Sequence, residues 1–99
     1  MSFRRAAKVD SNQQEIIAAF RRAGATVKPV HTVKKFVDIV VGINGKNLLV
    51  EIKDGKKAPS KRKLTEGEQE FHEGWKGRVH IVESVDDVAR MLSAIEEAV

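Results

Sequence analysis

Apolar positions along this chain alternate between a helical period and near-continuous runs, and the changes of period mark its elements. In "DSNQQEIIAAFRRAG", Ile16, Ile17, Phe20 and Ala23 recur at helical spacing. Asp10 or Ser11 can cap that helix and Gly24 can stop it. "ATVKPV" is a short extended run, and Pro29 places it at a sheet edge, where a missing N–H is tolerated. "FVDIVVGINGKNLLVEIK", Phe36 to Lys53, reads as two strands around Asn44-Gly45, a pair suited to the positive φ angles of a type I′ turn. After the loop "DGKKAPSKRK", Thr65-x-x-Glu68 forms a capping-box signature for a second helix, which carries Phe71 and Trp75 and should end near Gly77. "RVHIVES" is another strand. A last helix should start around Ser84, with Val85, Val88, Leu92 and Ile95 in one stripe that suits core packing before a dimer seam.

The predicted order is helix, three strands, helix, strand, helix. Consecutive strands joined by short turns form an antiparallel meander, and a strand returning after a helical crossover pairs in parallel. The expected fold is therefore a single-domain α/β structure on a central mixed sheet. A loosely ordered basic arm over residues 1–9 precedes the domain at 10–99.

The hairpin contains the chemistry. With Asn44-Gly45 as a two-residue loop, Ile43 faces Lys46, and the same register sets Asp38 opposite Glu51. Their Cβ atoms would lie about 4.5–5.5 Å apart. Lys53 projects from the same face as Glu51, while Leu48, Val50 and Ile52 point to the core. Opposed like charges destabilise a sheet, so something must offset them, and a divalent cation bridging the two carboxylates would do so. Mg²⁺ or Mn²⁺ suits such oxygen ligands, and a lysine beside it can hold an attacking water or a scissile phosphate. The plain alternative is a solvated Glu51–Lys53 pair beside a strand-entry aspartate.

Charge supports the same direction. The 99 residues carry a net +4, yet residues 1–63 hold 15 of the 18 Lys/Arg and only 5 of the 14 Asp/Glu. A basic half of that strength favours a polyanion, with nucleic acid the default. Lys56, Lys57, Lys61, Arg62 and Lys63 follow the hairpin directly and are placed to grip phosphates without reading bases. Lys34, Lys35, Arg4 and Arg5 are secondary contacts. No apolar run approaches membrane-spanning length, no secretory h-region follows the N-terminal arginines, and there is no cysteine; a cytoplasmic setting is expected.

Asp38, a turn, then Glu51-Ile52-Lys53 resembles the PD-(D/E)XK nuclease superfamily, whose core has the same element order. "LLVEIKDGKKAPSKRKLTEGEQEFHEGWKGRVHIVES" looks like its small phage-type VRR-NUC and Holliday-junction-resolvase-like branch, and the likeness covers about residues 10–92. It implies a restriction-endonuclease-like core, metal-dependent hydrolysis of DNA phosphodiesters, a homodimer, and a bacterial or phage-infected cell. By the same resemblance Asp38, Glu51 and the Ile52 carbonyl would bind metal and Lys53 would be the catalytic lysine. Glu15 would add an acid from the first helix, and Gln69 a polar group from the second that faces the active site. Val37 stands where the motif has proline.

His72 shares a helix face with Gln69 and is read as a boundary histidine satisfied by solvent or a backbone carbonyl. His31 and His80 lack companion ligands and are read as structural. With no groove-reading helix, recognition by shape or backbone rather than by sequence is expected. The resemblance, through a dimer that presents two centres to two strands, implies a branched substrate such as a Holliday junction. Two rivals remain. One is a non-catalytic nucleic-acid-binding module that uses the basic surface, and the other is a protein-interaction domain that docks through the acidic C-terminal helix.

Overall fold

The fold was obtained as a computed structural model, which describes residues 11–97; the basic arm with Arg4 and Arg5, and the Asp10 cap, lie outside them. Helix α1 (Gln13–Arg22) is followed by strands β1 (Thr26–Pro29), β2 (Ile39–Ile43) and β3 (Lys46–Ile52). A single 3-10 turn at Pro59–Lys61 interrupts the basic loop. Helix α2 (Glu66–Gly74), strand β4 (Val79–Val82) and helix α3 (Val85–Glu97) complete the order. The four strands form one sheet in the order β1-β2-β3-β4, with β1/β2 and β2/β3 antiparallel and β3/β4 parallel. This is the expected α/β domain with a mixed sheet, and Pro29 lies on the edge strand β1.

The hairpin forms in the register read from its turn. Asn44 and Gly45 both take positive φ, 52° and 77°, and Ile43 faces Lys46 while Ile39 faces Val50. Val50 and Ile52 of β3, with Ile39 and Val41 of β2, are fully buried against Ile16 and Phe20 of α1. Val88 of α3 joins them, and Val85, Leu92 and Ile95 pack around it, so the α3 stripe is core packing. Gly24, with φ 97°, ends the first helix two residues after its last turn.

Two helix ends differ from expectation, each for a physical reason. Asn12 occupies the cap position of α1, but its side chain makes no cap bond. Its Nδ2 donates instead to the carbonyls of Lys53 and Glu83, at 3.1 and 3.0 Å, and Ser11 donates its hydroxyl to Asp54 at 2.9 Å. The start of α1 is thus tied to the ends of β3 and β4. Helix α2 stops at Gly74 rather than near Gly77, because Trp75 turns extended and lays its indole over Gly77, where any Cβ would sit 2.9 Å from the indole nitrogen.

Gly55 shows a similar close approach: its N–H donates to the Glu83 carbonyl at 3.0 Å, and a Cβ there would meet that same oxygen at 2.9 Å. The loop leaving β3 is therefore packed directly against the end of β4.

Asn12→Ala should lower stability by about 1–3 kcal/mol, since the buried Lys53 carbonyl loses this donor and the Glu83 carbonyl keeps only the Gly55 N–H. Gln69→Ala, on an exposed helix position, should stay within about 0.5 kcal/mol of the parent. Urea denaturation of both variants measures the contrast.

Candidate active site

The register whose last rung pairs Ile39 with Val50 brings Asp38 and Glu51 together one step beyond the end of the β2/β3 ladder. Asp38 is where that ladder becomes irregular. Its Oδ2 accepts the Ile52 N–H at 2.7 Å, its own N–H donates to the Val50 carbonyl, and its carbonyl accepts from Val30. Its carboxylate thus does the work of a backbone acceptor and is held beside β3. Ile52, whose carbonyl the resemblance adds to the ligand set, is locked in the same contact.

Glu51 is a carboxyl with only 2% of its surface exposed. Its Oε1 has no hydrogen-bond partner among the described residues. Burial, followed by the adjoining Asp38 and Glu68 carboxylates, pushes its pKa up to about 10. Without a cation it holds a proton at neutral pH.

Lys53 projects from the same face and is 8% exposed. Its Nζ lies 2.6 Å from Glu68 Oε1. Burial alone would raise the pKa of Glu68, but hydrogen bonds from Lys53 and the Thr65 N–H outweigh it and hold the carboxyl below its usual value. His72 places Nε2 at 3.6 Å from Glu51 Oε1. Burial lowers the His72 pKa despite the pull of Glu68, so the imidazole is neutral at neutral pH and the contact is not an ion pair. His72 is half-buried, as a boundary histidine is, but its Nε2 lacks a hydrogen-bond partner among the described residues.

Asp38, Glu51 and Glu68 line a pocket of about 300 Å³ together with His31, Lys34, Lys35 and Phe36. Lys34 and Lys35, read as secondary contacts, therefore flank the acid pair directly. Lys35 takes a positive φ of 54° and reaches Glu70 across the lip, at 3.4 Å. The primary basic loop is built differently. Asp54 accepts the Lys56 N–H and the Ser11 hydroxyl, bonds that hold its carboxyl below the usual range. Arg62 donates to the Lys57 carbonyl and pairs with Glu83 at 3.1 Å, so it braces the loop, while Lys56, Lys57, Lys61 and Lys63 are exposed.

Two expected members do not join this group. Glu15 is exposed and lines a separate cavity with Asn12, Asp54 and Asp87. The helical period explains it: Gln13, Ile16, Ile17 and Phe20 form the buried face of α1, and position 15 falls on its flank. Gln13 is the polar group α1 sends inward, with Nε2 3.4 Å from the His31 ring, so His31 links α1 to the pocket. Gln69 is likewise exposed and donates to Glu73 at 2.9 Å; α2 turns Glu68 and His72, one turn apart, towards the sheet instead. The missed residues Glu68 and His72 had a signal, since both sit at i/i+4 on one side of the helix and Phe71 marks its packed side.

Phe36, just before Asp38, packs edge-on against Phe71 at 5.6 Å and Trp75 at 6.3 Å between ring centroids. These contacts hold α2 over the acid pair. Two acidic groups side by side, one of them buried with an unpartnered oxygen, suit a hard divalent cation. Among the described residues, no three His, Cys, Asp or Glu side chains converge as a ready metal cage. Comparison with family models, with curated proteins and with solved structures finds no match for this chain.

A carboxyl whose pKa is raised on folding binds more protons folded than unfolded, so stability falls as pH rises between the two values. For Glu51 that window runs from 4.5 to about 10. In EDTA, stability should fall between pH 7 and pH 10 by up to about 1.4 kcal/mol per pH unit. Glu51→Gln should remove that slope and be the more stable protein at pH 8. Denaturation curves across the range test both statements.

Proposed function

We propose that this chain is a metal-dependent DNA endonuclease of the restriction-endonuclease-like kind, acting on branched or junction DNA. One observation carries the reading: Glu51 is a buried carboxyl beside Asp38, with an orphaned oxygen and a lysine on the same strand face. A structural sheet residue gains nothing from such a placement, which lowers stability unless a positive group joins it. Asp38 and Glu51, with the Ile52 carbonyl, would hold Mg²⁺ or Mn²⁺. Such an ion, when bound, supplies an acidified water and a counter-charge for phosphate.

The protein's own residues do the rest. Lys53, paired with Glu68 on the strand face that carries Glu51, would set a positive charge beside the site, where it stabilises charge developing on the scissile phosphate. Lys34 and Lys35 at the pocket lip, with the exposed lysines of the loop, hold flanking phosphates without reading sequence. Two copies would present two centres to two strands. The exposed outer side of β4, with Ile81 and the neighbouring Trp75, is the apolar surface available to them. No helix of the described residues is long and apolar enough to cross a membrane.

Labelled four-way junction, flap and linear duplex should be incubated with Mg²⁺, Mn²⁺ or EDTA. Cutting should require the ion, favour the branched substrates, and fall at least about 100-fold in Lys53→Ala. Tight, salt-sensitive binding with no cutting in either ion would replace this reading with the non-catalytic binding module.

A further inference from the structure

We propose that Glu68 is the positioning residue for Lys53, and that it keeps the lysine from occupying the cation's place at the acid pair. The inference rests on the nuclease reading of Lys53. Lys53 Nζ meets Glu68 on the strand face that also carries Glu51, and Glu68 lines the same pocket as Asp38 and Glu51. A lysine side chain is long and flexible, and with Asp38 and Glu51 so near it would fold back onto them as an internal counter-ion. Glu68 prevents that by holding Nζ at 2.6 Å.

Glu68 can do this because it is itself fixed. It is the third residue of α2, and its Oε1 accepts the Thr65 N–H at 2.8 Å while its own N–H donates to the Thr65 hydroxyl at 3.2 Å. One oxygen therefore serves both the helix cap and the lysine. The packing of Phe36 on Phe71 and Trp75 anchors the helix that carries it to the segment leading into Asp38. A capping box normally ends its influence at the helix terminus. Here its acidic member reaches across to β3, so the rigidity of the cap is passed to a side chain of the site.

The two roles separate by substitution. Glu68→Gln keeps an acceptor for the Thr65 N–H and removes the charge that holds Lys53. Thr65→Ala removes the other half of the cap and leaves Glu68 ionised. Both should lower the melting temperature by a similar few degrees. Only Glu68→Gln should weaken Mn²⁺ binding, read by calorimetry without DNA, by about 10-fold or more, and lower kcat by about 10–100-fold with little change in KM. If Glu68→Gln binds Mn²⁺ and cuts as the parent does, or if both variants lose activity in step with their melting temperature, Glu68 is a helix cap alone and the inference falls. If the parent binds Mn²⁺ but cuts nothing, and Glu68→Gln binds it more weakly, the placement of Lys53 stands while the nuclease reading fails. A parent that neither binds Mn²⁺ nor cuts overturns both.

Discussion

A carboxyl buried in a β-sheet beside a second carboxyl is the constraint around which this small domain is organised. Glu51 could be accommodated by an apolar residue of similar size at lower cost, because its neighbours Val50 and Ile52 belong to a well-packed core. Instead the sheet keeps the acid, and the surrounding elements supply what limits its destabilising effect: a proton, a neutral imidazole, and an ammonium held nearby by Glu68. Each comes from a different kind of contact, and all converge on the end of the β2/β3 ladder.

The irregular end of that ladder is what makes the cluster possible. Where β2 gives up regular pairing, the Asp38 side chain accepts the Ile52 N–H in place of a backbone carbonyl. This satisfies the strand and fixes a carboxylate within reach of Glu51. On the far side of the sheet the same strands are apolar except for Lys46 at the turn, so the acids and the core lie on opposite faces. Helix α2 then covers the polar face, held by aromatic contacts at one end and a reciprocal cap at the other. The proposed nuclease chemistry needs such a division: a rigid scaffold behind and a fixed lysine in front.

The Asn44-Gly45 turn allowed the strand pairing to be counted from a single local signal, and the observed register is the one it implies. Local backbone chemistry of that sort, like the Thr65–Glu68 cap, needs no knowledge of the rest of the chain. Helix faces were harder to assign. Glu15 and Gln69 lie one to three residues from positions that do turn inward, Gln13, Glu68 and His72, and a helix moves a side chain by about 100° per residue. Amphipathic patterning defines the apolar stripe well, but it says little about which polar residue on its border faces the sheet. Asn12 shows the same limit, since a residue with the composition of a helix cap was recruited by two distant carbonyls instead.

What the sequence determined by itself was therefore everything governed by short-range rules: the element order, the hairpin register, the two-faced character of β3, and the concentration of basic residues in the first two thirds of the chain. Tertiary structure decided which polar side chains meet. It brought Glu68 and His72, fifteen or more residues beyond Lys53, to the acid pair. It also set Glu15 apart in another cavity and turned Arg62 from a free cation into a brace for its own loop. The reason is physical. Periodicity follows from the geometry of one element, whereas the meeting of polar groups depends on how that element is rotated and seated against its neighbours, and only packing of the whole core fixes that.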